Sequence, residues 1–450
     1  MIRYCTQSLI IFLIFTSLAN SSSFQAKKSI SNDAILLLNI LSDNENFYSK
    51  YLDVKKYWEE KFLTDVEARN ALNELKGNGV GLSYLLTYFL SDNLDDLISS
   101  LENFDQTISI IKNQFDEQVY FSTLQFLETH GEELKTYIKF LRKNNFSTYM
   151  DSQYGKALSE AIVIANQALS KIDSNKFDIA LGFFIPEKFF NSHIPRIIYI
   201  PALAGYLNGY EMMGLNVALS KDSVDELHMI LPHELCHKFE PFQKNIDFLK
   251  QLAKEDEYYK GYFNRIYNFY NEAYEEEFVY AAGAYVAVYS GLQSYKFALR
   301  NIKGAYPETN NLFYSGVPIA GIIFNQLHAF NPTSGFNYND YINELFETGF
   351  LRANTIEVKF KDSISIIGGI AGLGFEVLPA GIMITQLYEG YPAYESGLKV
   401  GDNILSINDI FVTNLNKNEI LSLIMGPKGE EKKFVIKRNE TALSFFFHLK

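Results

Sequence analysis

Apolar residues recur at three- and four-residue intervals through the first third of the chain. Leu36-Leu37-Leu38 with Ile40-Leu41, Leu85-Leu86 with Phe89-Leu90, and Leu124 with Phe126-Leu127 fit helices that each bury one face. Polar clusters such as Ser91-Asp92-Asn93 fit the caps and turns between them. From about Phe177 the pattern changes, and residues 179–184, 196–200 and 214–219 read as short strands. Apolar helices are expected over about 272–289 and 316–330, and an amphipathic one over 340–350. A β-rich unit is expected to begin near Ile356. The pattern predicts an α+β chain with a helical region over 25–175, a mixed segment over 176–352 and a β-rich domain over 356–450.

With 450 residues the chain is long enough for two or three full cores. Its aromatic content of 15% favours large buried side chains over disorder. A formal net charge of −13 argues against nucleic acid or an anionic membrane surface as the main partner. Residues 1–22 have the make-up of an export signal: Arg3, an unbroken apolar run over 9–15, then the small residues Ser17, Ala19 and Ser21. The run is too short to cross a bilayer, so no stable span is expected after cleavage, and the chain is expected to be periplasmic or extracellular. Cleavage would leave Cys236 alone, which excludes an intrachain disulfide.

Two of the seven histidines fall in His233-Glu234-Leu235-Cys236-His237. On a helix, residues four apart share a face, so both imidazoles can reach one metal ion. Glu234 sits one residue round, beside a water on that metal, and Cys236 turns away. Two histidines, a third ligand and an open position form the donor set of a catalytic Zn²⁺, which acidifies water and polarises carbonyls. Candidates for the third ligand lie in the acidic run at 272–277, where Glu272, Glu275, Glu276 and Glu277 are all open. We single out Glu276, which begins Glu276-x-x-Val279-Tyr280-x-x-Gly283. Pro232 precedes His233 and predicts a kink or a late helix start.

These residues resemble the gluzincin, or thermolysin-like, zinc metallopeptidases, whose H-E-x-x-H is commonly followed by E-x-x-A-D-x-x-G on a second helix. The resemblance implies a zincin catalytic domain in which His233, His237 and Glu276 bind Zn²⁺ and Glu234 is the general base. Tyr280 stands where many members carry an Asp that supports a zinc histidine, a departure that alters the support of the ligands. The resemblance also implies that the strand at 214–219 is the edge strand that holds substrate backbone. Tyr314, in Phe313-Tyr314-Ser315-Gly316, is the candidate oxyanion donor, with His228 and His328 as alternatives.

Residues from about Ile366 to the end resemble a PDZ domain of the kind found in bacterial secreted proteases. Gly372-Leu373-Gly374-Phe375 looks like the carboxylate-binding loop, and residues 391–402 resemble the S-P-A-x-x-A-G-L-x-x-G-D signature. Residues 383–387, 404–408, 433–437 and 444–447 read as its strands, and 418–424 as the groove helix. Glycines leave backbone N–H groups free to hold a chain-terminal carboxylate, and a strand edge accepts a peptide. The expected function is peptide-bond hydrolysis by an exported zinc enzyme with a PDZ domain for substrate or partner C-termini. The alternative is an inactive, protease-like peptide-binding protein. Glycyl aminopeptidases also join such domains but begin with β structure, whereas this chain begins with helices, so endo- and aminopeptidase action both remain open.

Overall fold

A computed structural model describes residues 24–450 apart from 115–116, 191–195, 271–274, 305–315, 379–380, 414 and 416. The chain forms two compact units, one from residues up to Ser174 with Ile185–Lys238, the other from Asn175–Phe184 and Phe239–Lys450.

The first unit is a helical assembly around one buried helix and a short sheet. Strand β1 (Gln25–Lys27) leads into α1 (Ile30–Ile40), every residue of which is buried. Ser29 caps α1 by accepting the Asn32 N–H at 3.2 Å. A helix buried all round has to satisfy its polar side chains internally. Ser29 and Ser31 donate to the Ser91 carbonyl, each at 2.9 Å. Asn32 donates to the Tyr210 hydroxyl at 3.3 Å, and Asp33 accepts the Ala202 and Leu203 N–H groups at 2.7 and 2.9 Å. After several shorter helices come α2 (Glu117–Lys143) and α3 (Phe146–Leu169); Tyr137 of α2 donates to the Ala34 carbonyl of α1 at 2.8 Å.

The sheet comprises β1, β2 (Ile197–Tyr199), β3 (Gly209–Glu211) and β4 (Val217–Leu219), in the order β1-β2-β4-β3. The first three in that order run parallel, and β3 is antiparallel to β4. The strand expected at 214–219 exists as β4, but it is internal and wholly buried, so it cannot hold substrate by its edge. Among the described strands the sheet ends on β1 and β3, and β3 is too short to show alternation in sequence. Helix α4 (Leu227–Cys236) comes after a 3₁₀ turn over Lys221–Glu226. The strand expected at 179–184 is instead the end of a helix, Ser174–Leu181, and a turn. Phe177, Ala180 and Leu181 are its buried residues, a three-and-four spacing that a short apolar run disguises.

In the second unit α5 (Glu257–Tyr270), α6 (Glu276–Tyr289) and α7 (Pro318–Phe330) supply the buried core. The helix expected over 272–289 is α6; residues 271–274 lie outside the described residues. The β-rich region does not start at Ile356, because α8 (Ile356–Ser363) buries Ile356, Phe360 and Ser363 along one helical face. The Phe360 ring lies against Gly316 and Gly321; a Cβ on either would come within 2.8 or 2.7 Å of it.

The C-terminal sheet holds β5 (Leu373–Leu378), β6 (Gly381–Leu387), β7 (Asn403–Ile407), β8 (Ile410–Phe411), β9 (Glu431–Arg438) and β10 (Thr441–His448). Its order is β10-β9-β7-β6-β5, with β8 paired to β7. Ile382, Ile384, Ile404, Ile407, Phe434 and Ile436 point into one core that Ile420 and Ile424 of α9 (Lys417–Ile424) close. Asp402, just before β7, and Arg438, at the end of β9, form a two-pronged pair, Nε to Oδ1 at 2.7 Å and Nη2 to Oδ2 at 2.6 Å. No helix among the described residues is long and apolar enough to cross a membrane.

Burial raises the Asp33 carboxyl from its ordinary 3.8 to about 7, against the pull of the Leu203 and Ala202 N–H groups and of Lys221 and Lys28. The folded chain therefore binds this proton more tightly than the unfolded chain. Its contribution to stability is complete below pH 3.8 and is lost as pH rises through about 7. Asp33→Asn keeps an acceptor for both N–H groups and cannot ionise. Calorimetric unfolding from pH 4 to 8 should show a falling stability in the wild type that this variant flattens.

Candidate metal centre

Helix α4 carries the motif at its C-terminal end. Leu227, Ile230, Leu231 and Leu235 bury its apolar side, and His237 caps it with α-helical backbone angles. Pro232 is the sixth residue of the helix, so the helix begins well ahead of the proline and not late. His233 and His237 face each other with their Nε2 atoms 3.2 Å apart and their rings at 87°. Two imidazole nitrogens bound tetrahedrally to one zinc would stand about 3.3 Å apart, from a Zn–N bond near 2.05 Å. Burial, and then the neighbouring His237, hold His233 well below its ordinary value of 6.5, so it is neutral and has a lone pair to give.

His233, His237 and Glu276 each offer one ligand atom, and these atoms lie within 4.8 Å of one another. Glu276 opens α6 and is 7% exposed. Among the other acidic candidates, Glu277 turns its Oε2 to the Ala320 N–H at 2.7 Å. Glu275 precedes α6 and is half-buried, and Glu272 lies outside the described residues. Two imidazole nitrogens and a carboxylate oxygen are a zinc donor set, and these side chains fit that ion.

Glu234 sits beside the pair. Burial and then the charge of Glu211 push its carboxyl up to about 8, while Lys238 and the Glu211 backbone pull it down. Gly209 of β3 packs so close that a Cβ there would meet the Ile230 side chain at 2.5 Å and Glu234 Cγ at 3.7 Å. Lys238, directly after the motif, is 6% exposed; its Nζ reaches Glu211 Oε2 and the Met212 carbonyl, both at 2.8 Å. This clamp of the motif to the edge strand is invisible in the sequence, since nothing in a lone Glu and a lone Lys 27 positions apart pairs them.

Tyr314 lies outside the described residues. Of its alternatives, His228 is pushed down to about 4 by burial, against Asp225, and His328 stacks on Tyr295 with ring centroids 4.2 Å apart. Cys236 is fully buried, and burial raises its thiol far above the ordinary value. It is the structural residue expected.

In the C-terminal domain Leu373, Gly374 and Phe375 begin β5, and Gly372 precedes them with φ +77°. A Cβ at Gly372 would come within 2.1 Å of the Tyr391 Cβ, so only glycine fits. β5 pairs with β6 alone among the described strands, and its other edge is open. Leu373, Phe375 and, from α9, Leu423 pack partly buried against the core. The outer face of α9 meets the helix Tyr295–Lys303, where Lys296 Nζ donates to the Met425 carbonyl at 3.1 Å.

A family model described as "PDZ domain" matches residues 383–438. The match begins after Gly372–Phe375. Tight junction protein 1 of Mus musculus is 39% identical over 90 residues, which is 20% of this chain and 5% of that protein. Tight junction protein ZO-3 of Canis lupus familiaris is 39% identical over 61 residues, 13% of this chain and 7% of that protein. The chain thus spans only 5% of the length of the first curated relatives it matches. The PDZ domain of a carboxy-terminal protease from Vibrio cholerae in complex with peptide is 23% identical, covers 18% of this chain and 92% of that one, and has a TM-score of 0.17. An aminopeptidase N family protein from Idiomarina loihiensis is 12% identical over 66% of this chain and 63% of that one, with a TM-score of 0.21. This chain carries a PDZ domain at its C-terminal end.

Lys238→Met should remove both Nζ bonds while keeping the volume. Because Glu211 is 37% exposed, water can take over part of the loss, and the expected cost is about 1–3 kcal/mol in urea unfolding.

Proposed function

We propose that this chain is an exported zinc-dependent peptidase whose PDZ domain docks peptide C-termini. One observation carries the reading: two imidazoles and a buried carboxyl group offer ligand atoms within 4.8 Å of one another, with Glu234 next to His233 in the chain. Bound by His233, His237 and Glu276, zinc would supply a Lewis acid that acidifies water and polarises the scissile carbonyl.

The chain's own groups supply the rest. Edge strand β3 pairs with substrate backbone and lays the peptide alongside α4. Glu234 takes the proton of the attacking water and hands it to the leaving amine. A carboxyl pushed up to about 8 is suited to exchanging protons near neutral pH. Tyr314 is the proposed donor to the oxyanion. At the other end, N–H groups around Gly372–Phe375 hold a terminal carboxylate, and β5 takes the peptide as an added strand. The PDZ family match favours a second reading, a peptide-binding protein without hydrolysis, which the measurements below separate.

Glu234→Gln should keep zinc and lose hydrolysis by about 100-fold or more on a peptide library, because it removes the proton carrier and no ligand. His237→Ala should lose both metal and hydrolysis. Purified wild-type protein without stoichiometric zinc, or a Glu234→Gln variant that cleaves at the wild-type rate, would sink the peptidase reading. For the PDZ groove, peptides with a free C-terminus should bind at least about tenfold more tightly than their C-terminal amides, since only the former offer a charge to the loop. Equal binding in fluorescence anisotropy counts against carboxylate capture.

A further inference from the structure

Glu277 is buried, 2% exposed, and sits directly after the proposed ligand Glu276. Its Oε2 accepts the Ala320 N–H at 2.7 Å. The Ile319 N–H and the Tyr259 hydroxyl lie near enough to this carboxyl to favour its charged form, while its Oε1 keeps no hydrogen-bond partner. Ile319 and Ala320 lie in the first turn of α7, whose own cap residue, Val317, has no side chain that can accept. The first N–H groups of a helix lack partners within it, and their dipoles add up to favour an anion. Glu277 therefore caps α7 from a different helix. Successive residues on a helix point about 100° apart, so Glu276 and Glu277 send their carboxylates to different sides of the first turn of α6. Tyr259, on α5, is 1% exposed and completes the anchorage.

We infer that Glu277 is a positioning residue for Glu276. It ties the first turn of α6 to the N-terminus of α7 and to Tyr259, and so fixes the backbone from which Glu276 reaches its metal. The inference rests on the reading of Glu276 as a zinc ligand. An apolar side chain of equal size would fill the same volume but would leave the α7 N–H groups unpaired and the first turn of α6 free to rotate. The same bond steadies the start of α7, immediately after the segment that bears Tyr314.

The test uses the full chain and reads zinc affinity by chelator competition, the visible spectrum of the cobalt(II)-substituted protein, and thermal unfolding of the metal-free protein. Glu277→Gln retains an acceptor oxygen and should keep zinc affinity within about threefold. Glu277→Ala should weaken zinc by about 10–100-fold and alter the cobalt spectrum. Glu277→Asp keeps the carboxyl on a shorter arm and should show the same changes in smaller measure; it serves alone if the alanine variant does not fold. Glu276→Ala is the control for the underlying ligand assignment. If it lowers zinc affinity while Glu277→Ala and Glu277→Asp change only the thermal midpoint, Glu277 is a structural cap and the inference is overturned. If Glu276→Ala binds zinc as the wild type does, the ligand assignment falls, and the positioning role with it.

Discussion

A helix with no solvent-facing side must find protein partners for its polar side chains, and α1 finds most of them by organising the first unit, with Asp33 Oδ2 left over. Asp33 takes two backbone N–H groups of the segment after β2, and Asn32 reaches Tyr210 in β3. The polar side chains that look like a flaw in an apolar helix are therefore what hold the short strands in place. Three-residue strands make too few ladder bonds to fix themselves. β3 is held instead from one side by Asn32 and from the other by Lys238, and the proposed peptide edge depends on both.

The H-E-x-x-H pair was legible because it is local: four residues on one helix place two rings face to face whatever else the chain does. The PDZ domain was legible because strands, glycines and groove helix come in one order over many residues. What the sequence hid was non-local or short. β3 has only three residues, too few for a visible alternation, so the sequence points to β4, which lies inside the sheet, as the edge. The run at 179–184 is equally apolar as a strand or as a helix end, and only the burial of Phe177 with Ala180 and Leu181 decides. Glu275, Glu276 and Glu277 are chemically identical in sequence. The fold separates them, because one helical step sends Glu277 to the start of α7.

Buried acids recur in this molecule, and each is matched to backbone N–H groups. Asp33 faces Ala202 and Leu203, Glu277 faces Ala320, and Asp402 takes the Lys399 N–H at 2.8 Å besides Arg438. A buried carboxylate costs desolvation that a single partner does not offset. Its use here is to bind segments that no regular ladder joins, with directionality that apolar contacts lack.

The ring of Phe360, seated on the bare backbone at Gly316 and Gly321, has a last consequence. It makes α8 part of the helical body of the second unit and not a tether to the C-terminal sheet. That sheet is thus not a detachable bead on a string. Grafting it onto another protein, or exchanging it for a different recognition module, would have to cut after α8 and leave that aromatic plug behind. Recombination at Ile356 would pull the plug out and open a hole against α7.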